Sequence, residues 1–202
     1  AVAQKMSNLL DARLVASTVS RLVYDCNRPP QAPGAMPARS EIHDVPGNTN
    51  LTDIEKTERI SKVYNPFRNM VSDTLTASAK PPVLVTIHSF TPVYMGQKRT
   101  VDIGILHDDD SRLADAMLAL APDRTGLNIR RNDPYGPEDG VTHTLKLHAL
   151  PRGLLNVMIE IRNDLIAGPA SQQAMAAFMA DLLNDALTET KTKSKPEEQC
   201  RA

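Results

Sequence analysis

Apolar positions along this chain alternate between two periods, and that alternation predicts the layout of the fold. Val2, Met6, Leu9 and Leu10 recur at helical spacing, so residues 1–10 read as an amphipathic helix. Residues 12–16 and 21–26 are short strand candidates. Residues 27–50 are rich in proline and also hold Gly34, Gly47, Asn48 and Asn50, which predicts a long loop. Thr52 followed by Glu55 is a capping-box pattern. Ile54, Ile60, Val63, Phe67, Met70, Val71 and Leu75 then form a helical stripe, which Pro66 divides near residue 65. After Pro81 and Pro82, residues 83–87 form a continuous apolar run of the kind expected in a buried central strand. Residues 101–106 predict another strand, and Ser111 opens a helix that runs to Ala121 before Pro122. Residues 127–129 are a short strand candidate, residues 141–147 alternate like a strand, and residues 154–161 are a further apolar strand. Met175, Met179, Leu182, Leu183 and Ala186 line one face of a last helix over residues 170–189. Residues 190–202 are charged and predict a flexible tail. Strands alternating with helices give an α/β layered domain over residues 1–189.

Composition narrows the function classes. The 202 residues suit one domain with a real core. The 23 basic and 24 acidic residues nearly cancel, so general attraction to nucleic acid or an anionic membrane is not expected. Aromatics are only 3% and Trp is absent, which argues against a base-stacking platform. Cys26 and Cys200 are the two cysteines, and a disulfide between them is not expected because Cys200 sits in the polar tail. Low cysteine usage fits a reducing cytoplasm. No 18-residue apolar run predicts a membrane span, and no basic-then-apolar leader predicts a signal peptide. The chain opens within a helical pattern without a cap, so it is expected to be incomplete at its N-terminus.

Four places offer chemistry. Asp25, Asn27 and Arg28 follow a predicted strand, at the end where open α/β sheets bind ligands. Arg28 can take a carboxylate bidentately and Asn27 can add an amide donor; an Arg28–Asp25 ion pair is the plainer alternative. His88 follows an apolar strand and suits a metal ligand or, equally, a satisfied strand-end histidine. Glu160 stands amid the apolar run 157–161, with Met158 and Arg162 on its face. This favours a polar pocket over a solvated face, and burial would tune the carboxyl for proton transfer. His143, His148 and Arg152 form the fourth group. An offset of five puts the two histidines on opposite faces of a strand, so they should not share a metal, and only His148 is a candidate for lining a site. His107 with Asp108, Asp109 and Asp110 reads as a solvated helix start, and His43 has no role of its own. Nucleophile-elbow, phosphate-loop, dinucleotide and C-x-x-C motifs are absent.

Ser-Arg-Leu-Val-Tyr-Asp-Cys-Asn-Arg-Pro at 20–29, Ile-His-Ser-Phe-Thr-Pro-Val-Tyr at 87–94 and Asp-Ile-Gly-Ile-Leu at 102–106 come in an informative order. Asn-Asp-Pro-Tyr at 132–135 and the stretch from His148 to Leu165 complete the set. Together they resemble the N-formylglutamate amidohydrolase family over residues 1–187. The resemblance implies a fold similar to the zinc exopeptidases of the carboxypeptidase and aspartoacylase type: a three-layer α/β/α domain with a mixed central sheet. It implies one Zn²⁺ with His88 as a ligand, a substrate carboxylate held by Asn27 and Arg28, and Glu160 as proton shuttle. The family's other metal ligands lie in a His-containing turn that would precede residue 1. Arg162, Arg152 and His148 are candidates for a second carboxylate or the oxyanion.

The activity so implied is hydrolysis of N-formyl-L-glutamate to formate and L-glutamate. The alternatives are hydrolysis of another N-acyl amino acid or short amide, and a non-catalytic carboxylate-binding domain. The expected partner is a small N-acyl amino acid.

Overall fold

The computed structural model describes residues 1–198, with side-chain surroundings through Thr192. Helix α1 spans Val2–Leu9 and is followed by a loop with two short hairpin strands, β1 (Arg39–Ser40) and β2 (His43–Asp44). Helices α2 (Asp53–Arg59) and α3 (Asn65–Thr76) lead into strand β3 (Leu84–Phe90). A small hairpin, β4 (Val93–Tyr94) and β5 (Gln97–Lys98), precedes β6 (Ile103–Leu106), α4 (Arg112–Leu120) and β7 (Ile129–Arg131). Strand β8 (Asn156–Arg162) and helix α5 (Pro169–Glu198) close the chain. The main sheet has the order β3-β8-β6-β7; β8 runs parallel to β3 and antiparallel to β6, and β7 parallel to β6, so the sheet is mixed. None of the described helices is long and apolar enough to cross a membrane.

Strand alternation divides the sheet into two unlike faces. On one, Ile103, Ile105, Val157, Ile159 and Ile161 are buried against Val2 and Met6 of α1, Leu113 and Met117 of α4, and Met175, Met179 and Leu182 of α5. Full burial of each such side chain contributes about 1.5–3 kcal/mol, so this layer supplies most of the fold's cohesion. The opposite face packs Leu106 and Met158 against Val141 and Leu145, while Val71 and Leu75 of α3 meet Ala149 and Leu154. Helical segments therefore cover both faces, giving the three-layer α/β arrangement expected from the sequence.

Local chemistry explains most boundaries. Thr52 Oγ1 accepts the Glu55 N–H at 3.3 Å while the Thr52 N–H reaches Glu55 Oε2 at 2.8 Å, so the capping box forms. Pro66 lies in the first turn of α3, and the preceding turn, Ile60–Tyr64, widens to a π-helix. A proline lacks the N–H for the regular ladder, and the wider turn accommodates it without ending the helical run. Ile54 and Met70 remain exposed, so the buried stripe is narrower than the periodicity suggested.

Several expectations are corrected. Residues 12–16 and 21–26 form no strand: Ser20 organises a turn in which its carbonyl accepts the Val23 N–H at 2.9 Å and its hydroxyl the Leu22 N–H. Residues 83–87 contribute to a strand that, among the described residues, lies at the edge of the sheet rather than its centre; there β3 pairs with β8 and stays half-buried. Residues 141–147 are not extended: 141–142 form a turn and 143–147 are helical, and Val141, Leu145 and Ala149 bury at four-residue spacing. Two residues of apolar alternation cannot be told from a short helical stripe when every fourth residue is also apolar. Helix α5 continues through the charged segment to Glu198, and residues 199–202 of the expected tail lie outside the described residues. Cys26 is a free thiol; Cys200 lies outside the described residues.

Candidate active site

A cleft of about 1150 Å³ runs along β3 with residues of both sheet faces in its lining; on the polar side that lining includes Asp25, Asn27, Arg28, His88, Tyr135 and Glu160. Strand register makes the centre of this site. Parallel pairing puts His88 of β3 directly beside Glu160 of β8, and antiparallel pairing puts Gly104 of β6 on the other side. A Cβ at Gly104 would come within 2.3 Å of the Asp133 carbonyl oxygen. The 132–135 loop therefore lies directly over the strand, and only a residue without a side chain fits there. Asn132 fixes that loop through its backbone N–H to the Ile105 carbonyl and its side-chain oxygen to the His107 N–H.

Glu160 is 5% exposed, and its Oε2 has no hydrogen-bond partner among the described residues. Burial raises its pKa to about 7; the nearby Arg21, Arg99 and Arg28 charges pull it down and Asp25 pushes it up. His88 is depressed to about 4, mainly by burial, so its imidazole is neutral at neutral pH. A neutral imidazole has a lone pair to offer a proton or a metal.

The Asn27–Arg28 pair reaches the cleft from a turn rather than from a strand end. The Asp25 N–H donates to the Ala35 carbonyl at 2.8 Å, and the Asn27 N–H donates to Asp25 Oδ1 at 3.0 Å. Asn27 donates through Nδ2 to the Val141 carbonyl and accepts from the Thr144 N–H and hydroxyl at 3.0 and 2.6 Å. Its amide thus holds the turn against the helical segment beyond residue 141. Arg28 sits beside it with Nη1 buried and without a partner. Asp25 pairs with Arg21 at 3.3 Å, so the plainer Arg28–Asp25 ion pair is not formed.

Three sequence candidates stay outside the cleft lining. Arg162 bonds to Asp102 at 2.7 Å and Asp164 at 2.8 Å. Arg152 donates to the His148 carbonyl at 2.9 Å and to Ser72 Oγ at 3.0 Å. His148 is buried in the turn before it, and burial together with the Arg152 charge lowers its pKa to about 4. His143 instead contacts the Tyr64 hydroxyl through Nε2 at 2.9 Å, with the Tyr24 ring tilted at 35° beyond Tyr64. The sequence reading missed Arg99, whose guanidinium lies over the rings of Phe90, Tyr94 and Tyr135 at 5.4, 4.6 and 4.7 Å. No local period marks such a residue; its aromatic partners come from three separate segments.

Among the described residues no group of three or more His, Cys, Asp or Glu side chains could hold a metal ion. Catalytic zinc usually takes three protein ligands, and His88 offers one nitrogen, so these residues by themselves do not fit the group.

A crystal structure of a gene product from Agrobacterium tumefaciens superposes with a TM-score of 0.90 and 58% identity, over 94% of this chain and 76% of that one. A crystal structure of N-formylglutamate amidohydrolase from Ralstonia eutropha gives a TM-score of 0.48 and 17% identity, over 70% of this chain and 56% of that one, too low to bear on function. No curated protein is significantly similar. The family described as N-formylglutamate amidohydrolase matches residues 1–167, which contain every site residue above, and the chain belongs to that family.

Proposed function

We propose that this protein hydrolyses the amide bond of an N-acyl amino acid, with N-formyl-L-glutamate as substrate and formate and L-glutamate as products. The observation that carries this reading is the carboxyl of Glu160. It is buried, has an unpartnered oxygen, and lies beside a neutral His88 in a cleft that also holds the unpaired Arg28. Arg28 binds the α-carboxylate of the substrate and so places the scissile amide near Glu160; Asn27 keeps Arg28 in position by anchoring its turn. Glu160 takes a proton from the attacking water as the oxygen bonds to the formyl carbon. It then delivers that proton to the amine nitrogen as the C–N bond breaks. A carboxyl poised at about 7 can do both near neutral pH. The zinc implied by the sequence resemblance is a separate element, and no step above passes through it.

The test is formate release from N-formyl-L-glutamate, measured with added Zn²⁺ and after chelation. Turnover that chelation abolishes and Zn²⁺ restores supports both the activity and the metal. Turnover indifferent to chelation keeps the activity and removes the metal. A folded protein that binds L-glutamate yet releases no formate under either condition is instead a carboxylate-binding domain.

A further inference from the structure

The acidic run after β6 reads in the sequence as a solvated helix start, and Asp108 departs from that reading. Asp109 is exposed and Asp110 pairs with Arg112 at 2.7 Å, but Asp108 is only 7% exposed. A buried carboxylate opposes folding unless its oxygens are occupied, and both are. Oδ2 accepts from the Thr142 hydroxyl; Oδ1 accepts the Asp109 N–H at 3.1 Å and faces Lys146 Nζ at 3.5 Å. The Lys146 N–H in turn donates to the Thr142 carbonyl at 3.0 Å, so Asp108 grips both ends of one helical turn. Asn27 grips the same stretch from the cleft, through the Val141 carbonyl and the Thr144 N–H and hydroxyl. Residues 141–144 therefore join the turn that carries Arg28 to the end of β6. Strand β6 lies between β8 and β7, and its Gly104 pairs with Glu160. A continuous series of bonds thus runs from the strand of Glu160 through β6, Asp108, Thr142 and Asn27 to Arg28. Arg28 Nη1 is buried with no partner among the described residues, so its guanidinium takes its place from that turn rather than from a bond at this nitrogen.

We propose that Asp108 is a positioning residue for substrate binding: through Thr142 and Asn27 it sets where Arg28 holds the substrate's carboxylate relative to Glu160. This rests on the amidohydrolase reading above and adds to it a residue that touches neither the substrate nor the transferred proton. A misplacement of about 1 Å in a group that holds substrate can cost on the order of 10²-fold, so a remote anchor of this kind has a measurable effect.

The experiment is a double-mutant cycle read on N-formyl-L-glutamate. Asp108→Ala raises KM about 10-fold; Thr142→Val, which removes the hydroxyl and keeps the shape, does the same, and Thr142→Ser, which keeps the hydroxyl, stays within about 3-fold of wild type. In an Arg28→Gln background, Asp108→Ala and Thr142→Val each change KM by less than about 2-fold, because the group they position is gone. Factors that simply multiply, as a merely structural role gives, overturn the proposal, and so does an unchanged KM in Asp108→Ala. Should Asp108→Ala fail to fold, Thr142→Val in the same cycle decides by the same outcomes. Calorimetric binding of L-glutamate to these proteins reads the coupling without turnover. Absent hydrolysis with a coupled loss of binding counts against the amidohydrolase reading and for the positioning role, and losses of binding that multiply count against the positioning role whatever the turnover. A folded protein that neither hydrolyses N-formyl-L-glutamate nor binds L-glutamate overturns both.

Discussion

The two faces of the central sheet are built from the same strands and do opposite things. On β8, Val157, Ile159 and Ile161 point into an apolar layer shared with three helices, where each is fully buried among like neighbours. One residue along, Met158, Glu160 and Arg162 point the other way, and that face includes an unpartnered carboxylate oxygen and an unpartnered Asn156 oxygen. The first face gains stability from every side chain; the second keeps groups whose burial opposes folding unless something binds them. Strands anchored on one face can hold a destabilising arrangement rigidly on the other, which is what a site for proton transfer requires.

Mutations on the two faces should therefore separate activity from stability. The largest effect is expected for Glu160→Gln, which should lower kcat by roughly 10²- to 10⁴-fold. Its midpoint of denaturation at pH 8 should not fall. The carboxyl is raised in the fold, so ionising it above about pH 7 disfavours the native state, and glutamine removes that charge. Full activity in this variant would falsify the proton-transfer role. Ile159→Ala, its neighbour on the apolar face, should cost about 2–5 kcal/mol in urea denaturation while the KM of the surviving folded fraction stays near wild type. If it instead abolished activity without loss of stability, the division between the faces would be wrong.

Acid titration probes the helical layer over the polar face. His148 is depressed to about 4 from an ordinary 6.5 by burial, Arg152, His143 and Arg68. The unfolded chain takes up a proton below 6.5 and the native state does not until about 4. The stability associated with the neutral ring is thus complete above 6.5 and lost as pH falls toward 4. The loss by pH 4 should be on the order of 3 kcal/mol, and His148→Asn should remove it from a pH-dependent denaturation series. Parallel pH curves for the two proteins would contradict the assignment. The smallest effect is expected for Gly104→Ala: the added methyl meets the Asp133 carbonyl, at a cost of about 1–3 kcal/mol, and pushes the 132–135 loop away from Glu160. A drop in kcat beyond what the lost stability explains would show that this loop shapes the site; unchanged kinetics would show that it does not.

Much of this arrangement was legible along the chain. Glu160 stood out because a carboxylate within an apolar run is costly to bury, and it is indeed buried. His88 and the Asn27–Arg28 pair stood out through their motifs, and the fold brings both to one cleft with Glu160. The apolar stripe of α5 and the capping box of α2 follow from interactions three or four residues apart, so neighbouring residues were enough to place them. The misread segments are those where local signals conflict. Residues 141–147 satisfy both a two-residue and a four-residue period, and the turn at Ser20 is held by hydroxyl and carbonyl bonds that hydropathy does not report.

Sequence by itself determined the alternation that gives β8 one apolar and one polar face, the identities of Glu160, His88 and Arg28, and the membership of the chain in its family. Only the tertiary structure decided which arginines are available. Arg162 and Arg152 find partners on neighbouring segments, while Arg28 and Arg99 each keep a buried nitrogen without an acceptor. The reason is physical: a charge's availability depends on which donors and acceptors surround it in space, and for Arg99 the surroundings come from Phe90, Tyr94 and Tyr135, which only the folded chain brings together.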